Sequence, residues 1–219
     1  QTYDNSAFRV SYTNTSLSGY LPNSSQYKNI LNVNGNIMST DKKLNVFTSV
    51  SYFNNRTNGR QDTGYGDNNI MVKFTQWGQR QLNMNELKDL YINPDGTQAS
   101  WNIGGVDDPT IQYHNNVYWS RYMNYENDSR NRIYGNVGVS YQIMPELKAQ
   151  YKVDLDFFAD KQYERNAVYS QELSKYKESS RQQYEINHEF MLMYNKTFGD
   201  YSLSANLGAN IMKTHYEDI

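Results

Sequence analysis

Hydrophobic residues recur at every second position over long stretches of this chain. Between Leu147 and Phe157, the residues Leu147, Ala149, Tyr151, Val153, Leu155 and Phe157 share one side of an extended backbone. Lys148, Gln150, Lys152, Asp154 and Asp156 share the other. A strand turns successive side chains to opposite faces, so this run predicts a strand with one apolar and one wet face. The same period carries Tyr201, Leu203, Ala205, Leu207, Ala209 and Ile211, then Ile133, Val137, Val139, Tyr141 and Ile143. It carries Leu44, Val46, Thr48, Val50 and Tyr52, then Leu31, Val33 and Ile37, then Phe8, Val10 and Tyr12. Tyr184, Ile186, Phe190, Leu192 and Tyr194 form a further face that His188 interrupts, which suggests a bulge or a slipped register there. Seven strands are predicted, at roughly 6–14, 27–38, 43–54, 131–143, 147–158, 183–195 and 201–213.

The predicted connections alternate in length. Ser39–Lys42, Met144–Glu146 and Lys196–Asp200 are tight turns, whereas 15–26, 55–130 and 159–182 are long. Strands of about ten residues with short turns on one side and long loops on the other match an outer-membrane barrel. The short turns would face the periplasm and the long loops the outside. On the apolar faces Tyr141, Tyr194 and Tyr201 stand beside short turns, and Tyr12, Tyr52, Phe157 and Tyr184 beside long loops. Two such girdles suit the two bilayer interfaces. The expected fold is therefore all-β, an antiparallel transmembrane β-barrel segment placed in the outer membrane. A soluble antiparallel sandwich also alternates and is the competing architecture.

Composition sharpens this. A mean hydropathy of −0.89 excludes helical spans but not a barrel, whose strands hide only alternate residues in lipid. The formal net charge of −2 gives no nucleic-acid footprint, and zero Cys excludes disulfides and thiolate chemistry. A sequence that begins at Gln1, without Met or a signal peptide, is expected to continue upstream.

The 55–130 segment is too long for an ordinary connection and is expected to be a functional extracellular loop. Gln79–Tyr91 predicts a short helix, and Asn93-Pro-Asp-Gly96 a turn with Pro presetting φ and Gly at the positive-φ position. All three Trp lie in this loop. Trp77, Trp101, Trp119, Arg121 and Tyr122 are candidate contacts to a sugar, a peptide or a partner protein. The alternative is that they form the loop's own small core. Lys152, Asp154 and Asn136 are candidate lumen-facing residues. No catalytic or metal-binding constellation emerges. His114, His188 and His215 are scattered, Asp107-Asp108 and Asp154/Asp156 are expected to be ordinary polar pairs, and Gly64-Tyr-Gly66-Asp67-Asn68 lacks a phosphate-loop Lys. The chain is expected to be neither an enzyme nor a carrier of a cofactor or metal.

Several separated stretches resemble a known family. They are Asp4-Asn-Ser-Ala-Phe-Arg-Val-Ser-Tyr-Thr-Asn-Thr, Ser18-Gly-Tyr-Leu-Pro-Asn-Ser, and Gly64-Tyr-Gly-Asp-Asn-Asn-Ile-Met continuing to Phe74-Thr-Gln-Trp-Gly-Gln-Arg. Asn93-Pro-Asp-Gly-Thr-Gln, Asp107-Asp-Pro-Thr and Tyr118-Trp-Ser-Arg-Tyr-Met-Asn-Tyr-Glu-Asn-Asp-Ser-Arg complete the set. Together they resemble the SusC/RagA family of TonB-dependent outer-membrane transporters. The resemblance implies a barrel of roughly 22 strands, a plug and a TonB box lying outside this sequence, and a SusD-like surface lipoprotein as partner. It implies import of oligosaccharides or oligopeptides. A passive porin or structural barrel is the alternative, and a carbohydrate-binding sandwich a more distant one.

Overall fold

The computed structural model describes residues 2–3, 5–60, 62–66 and 68–219. Seven long strands run up and down in sequence order: β2 Ser6–Ser18, β3 Ser25–Met38, β4 Leu44–Asn58, β7 Tyr125–Met144, β8 Leu147–Asn166, β9 Lys175–Phe198 and β10 Tyr201–Asp218. The two-residue strand β1, Thr2–Tyr3, adds to the β2 edge. Each neighbouring pair is antiparallel. The sheet is open, with β1 and β10 at its two edges among the described residues. The three short turns therefore lie at one end, and the connections 19–24, 59–124 and 167–174 at the other.

All seven predicted strands are present, and all reach further toward the long connections than the alternation of apolar residues. Pairing continues past the last apolar row, as in Arg130↔Asp160 and Tyr125↔Arg165. Hydrogen bonding does not need an apolar face, so the ladder outlasts the pattern that reveals it.

Register places the predicted apolar residues on one face. Val10 lies across from Val33, Val33 from Val50, Val46 from Val139, Val137 from Val153, and Leu155 from Ile186. His188 causes no bulge. It pairs in register with Val153 and Ile211, and its Nδ1 is 2.7 Å from the Tyr151 hydroxyl. That contact satisfies a polar ring inside an apolar row, so no backbone rearrangement is required.

Toward the long connections, Tyr12, Leu31, Tyr52, Ile133, Phe157 and Tyr184 form one continuous cross-strand row. The next row outward is Asn14, Asn29, Asn54 and Asn131. Its amides take hydroxyl donors from the aromatic row: Tyr12 to Asn29 Oδ1 at 2.7 Å and Tyr52 to Asn131 Oδ1 at 2.9 Å. At the short-turn end the limit is staggered. The row of Leu44, Tyr141, Ala149 and Leu192 meets Leu207 of β10, and Ala205, Leu203 and Tyr201 continue beyond it.

No second sheet covers this face among the described residues. Val10 is 52% exposed, Val137 54% and Leu207 70%. Among the described residues the only other sheet is the small hairpin of β5, Ile103–Gly105, and β6, Asp108–Ile111.

The described residues of the 59–124 connection form three short helices, α1 Ile70–Trp77, α2 Met84–Asp89 and α3 Val117–Tyr122, besides that hairpin. Each helix starts on an Asn cap: Asn69, Asn83 and Asn116 accept from the N–H of Val72, Asn85 and Tyr118. Only α2 matches the predicted helix, and it is shorter. The Asn93–Gly96 turn forms as expected, with Gly96 at φ 85° and Asp95 Oδ1 accepting the Thr97 N–H at 3.0 Å. The Thr97 hydroxyl, which donates to the same oxygen at 2.6 Å, and then this N–H hold the Asp95 carboxyl below its ordinary pKa. In the glycine-containing stretch 64–68, Asp67 lies outside the described residues.

Candidate functional site

The polar face of the sheet carries a ladder of charges interleaved with aromatic rings. Arg130 of β7 makes two bonds to Asp160 of β8, at 2.6 and 2.5 Å, and its guanidinium lies 5.2 Å from the Phe158 ring. Arg132 binds Asp156 in the same two-pronged way, at 2.8 and 2.5 Å, and lies over Tyr134 at 5.0 Å. Such bidentate pairs fix a planar guanidinium in orientation. Lower on this face Lys152 bridges Asp154 at 3.1 Å and Glu189 at 2.9 Å, and Asn136 pairs directly across from Asp154. The structure thus brings Lys152, Asp154 and Asn136 together. Asp154 and Asp156 each answer to a different cation, so they form no acid–base couple.

At the upper end of the polar face lies a cleft of about 390 Å³. Lys28, Phe53, Asn55, Arg60, Arg130 and Asp160 line it, with Asp128 behind Arg60. Lys28 Nζ stands 5.7 Å over the Phe53 ring, and Arg60 is ion-paired with Asp128. A second cleft of about 520 Å³ opens at the long-connection end, between the 18–25 turn and the helices. Tyr20, Pro22, Lys88, Tyr118 and Tyr122 line it. Tyr118 stacks on Tyr122 at 6.2 Å, and Tyr91 leans on Tyr122 at 5.6 Å.

The five loop candidates divide. Tyr122 faces the second cleft. Trp77 is 39% exposed and stacks flat on Tyr113 at 4.5 Å. Trp101 is half-buried, edge-on to Phe74 and to His114. Trp119 is 1% exposed and donates its indole N–H to Ser170 Oγ at 2.9 Å. Arg121 is 5% exposed. These last two are therefore corrected from contact candidates to parts of the loop's own core, because burial leaves them no face for a ligand.

Arg121 has a definite positioning task. Its guanidinium donates to the carbonyls of Pro22 at 2.9 Å, Gly59 at 2.6 Å and Arg60 at 3.3 Å. Asn23 Nδ2 returns a bond to the Arg121 carbonyl at 2.8 Å. One buried cation thereby ties the 18–25 turn, the end of β4 and α3 together. Its burial lowers the guanidinium pKa, and the nearby Glu126 carboxylate opposes that shift. Gly59, at φ 63°, makes the approach possible: a Cβ there would lie 1.8 Å from the Asn23 carbonyl oxygen. The clasp holds residue 60 beside the first cleft, where the Arg60 N–H also donates to the Glu126 carbonyl at 2.7 Å.

Amides build the rest of the loop core. Asn116 donates to the carbonyls of Leu87 and Ala99, both at 3.0 Å, and Gln98 to Asn115 and to the carbonyl of Tyr169. Asn68, Asn124 and Asn166 form a chain of bonds that joins this loop to the 167–174 connection. Asp108 Oδ1 caps its own hairpin through the Thr110 N–H at 3.1 Å. The histidines stay apart: His114 is buried against Asn115, His188 meets Tyr151, and His215 stacks on Tyr184 at 5.3 Å. Among the described residues no three metal-ligating side chains converge.

Sequence reading missed Lys28, Phe53, Arg60, Arg130 and Asp160, because all stand at or beyond the limits where alternation ends. The tight Met144–Leu147 turn was the available signal. It fixes the hairpin register and so brings Arg130 across from Asp160. Among known proteins, no family model and no curated protein matches this chain.

Proposed function

We propose that this chain forms part of the wall of an outer-membrane β-barrel that imports oligosaccharides or oligopeptides under TonB control, beneath a SusD-like surface lipoprotein. The observation that carries the reading is the uncovered apolar face, contiguous over seven strands and bounded by the Tyr12–Tyr184 row and, on β2, β3, β4 and β7, by a row of asparagines beyond it. In water such a face is a severe liability, since monomeric soluble proteins rarely expose large apolar patches. In a bilayer it is the required surface. The apolar run of β8, Leu147 to Phe157, spans about 33 Å along the strand. At the roughly 40° tilt of membrane strands this becomes a height of about 25 Å, the apolar band of outer-membrane barrels.

The open edges at β1 and β10 need partners, because unpaired N–H and C=O groups each cost several kcal/mol in lipid. We take the remaining strands to complete a closed barrel. The polar face then lines the lumen, and Lys152, Asp154 and Asn136 stand along the ligand's route. The Tyr122 cleft and the folded 59–124 loop lie outside the cell, where Tyr20 of the 18–25 turn and Tyr118 and Tyr122 of the loop serve as anchors for the lipoprotein lid.

The test is uptake by cells expressing the full chain. Under this reading the protein sediments with the outer membrane, and uptake of its nutrient stops when the inner membrane is de-energised. Uptake that persists without energy would make it a passive porin. Recovery in the soluble fraction would defeat the membrane reading altogether.

A further inference from the structure

We infer that the upper cleft of the polar face is a binding site for a carboxylate group on the imported ligand. The inference rests on the importer reading only for access, since that reading makes this face the lumen.

Exposure decides the polarity of the cleft. The Arg60 and Arg130 side chains are 54% and 49% exposed, whereas the Asp128 and Asp160 side chains that hold them are each 13% exposed. The carboxylates lie behind and the guanidiniums in front. Arg130 spends Nε and Nη2 on Asp160, so its bonds to that partner leave the Nη1 edge directed elsewhere. An arginine locked from behind presents donors with little rotamer entropy left to lose, which favours a planar carboxylate. Lys28 adds an ammonium whose contact is the Phe53 ring.

Phe53 and the amides of Gln26, Asn55 and Gln162 supply an apolar surface and neutral hydrogen bonds for the body of the ligand. The charge reverses in the adjoining cleft, which shares Arg60, Asp128 and Gln162 but is lined by Glu126 and Glu164. Lys175 and Lys177 pair with Glu164 there, at 3.6 and 3.7 Å, so the cations without such a surplus of carboxylates are those at the end near Lys28 and Arg130. A uronic-acid saccharide and an acidic peptide present the same group, and the probes below separate them.

Titration calorimetry on the full chain in nanodiscs tests the assignment. The probes are trigalacturonate with neutral galactotriose, and triglutamate with triglutamine. One acidic probe is expected to bind at least about tenfold tighter than its neutral counterpart, the scale of one charge-assisted hydrogen bond. Lys28→Gln should remove much of that difference. Arg130→Gln alone would strand Asp160, so the second variant is Arg130→Gln with Asp160→Asn, which keeps a neutral bonded pair. Both variants should weaken the acidic probe about tenfold and leave the neutral probe unchanged. Equal binding of charged and neutral probes, or variants that bind the acidic probe like the parent, overturns the inference. A protein that inserts into the outer membrane, imports a neutral nutrient and ignores both acidic probes overturns this site while leaving the importer reading standing.

Discussion

Val137 and Asn136 are adjacent in β7 and point to opposite faces, which makes them a sensitive pair for the two-faced sheet. Val137 lies across from Thr48 and Val153, and Asn136 across from Ser49 and Asp154. The apolar run of β7 extends from Ile133 to Ile143. At about 3.3 Å per residue and roughly 40° of tilt, Val137 lies about 10 Å from one limit and 15 Å from the other. It is therefore close to the middle of the band. Arg at mid-band on the lipid face costs about 2–4 kcal/mol, or roughly 30-fold to 1000-fold in the folding equilibrium. Arg at 136 enters a wet face opposite Asp154 and should change stability by only about 0–1 kcal/mol. Denaturant titration of the full chain folding into lipid vesicles measures both. The expected result is a large loss for Val137→Arg and almost none for Asn136→Arg. Equal losses, or a larger loss for Asn136→Arg, would refute the face assignment.

Three further outcomes are expected in the loop. Gly59→Ala forces a side chain onto the Asn23 carbonyl at a positive φ, so it should cost about 1–3 kcal/mol locally and appear as faster proteolysis within 59–124 with the sheet intact. Trp119→Ala removes a core side chain and its bond to Ser170, at about 3–5 kcal/mol, with the same loop-restricted readout. Glu126 is raised above its ordinary pKa, first by burial and then by the Asp62 and Glu164 carboxylates. A raised acid stabilises the fold fully below its unfolded pKa, and that contribution is lost as pH rises through the folded value. Glu126→Gln stays neutral, so its loop should resist protease better than the parent at pH 7.5 and equally at pH 4.

The seven long strands, their order and their shared apolar face were legible because a two-residue period is imposed wherever one face is apolar, whereas β1 and the β5–β6 hairpin carry no such period. The strand ends at the long connections were not legible, because beyond the Asn14–Asn131 row the apolar period stops while the backbone ladder continues. His188 illustrates the same limit within a strand. The residue breaks the pattern, and only the position of the Tyr151 hydroxyl explains why the register survives. The loop was the least legible part. Its three Trp drew attention as contacts, yet Trp119 is core. The scaffold that buries it is made of Asn and Gln bonds such as Asn116 to Leu87 and Ala99, which carry no hydrophobic period. Arg121 was singled out as a contact candidate, whereas its guanidinium is spent on four backbone carbonyls brought together from distant segments.

Topology across a membrane is the central claim, and single-cysteine labelling tests it most directly because the chain contains no Cys. Val106, 99% exposed at the tip of the β5–β6 hairpin, stands at the long-connection end. Asp200, in the exposed turn between β9 and β10, stands at the opposite end. In intact cells a membrane-impermeant maleimide should label Val106→Cys, and should label Asp200→Cys only after the outer membrane is permeabilised. Equal labelling of both sites in intact cells, or labelling of neither before permeabilisation, would contradict the account.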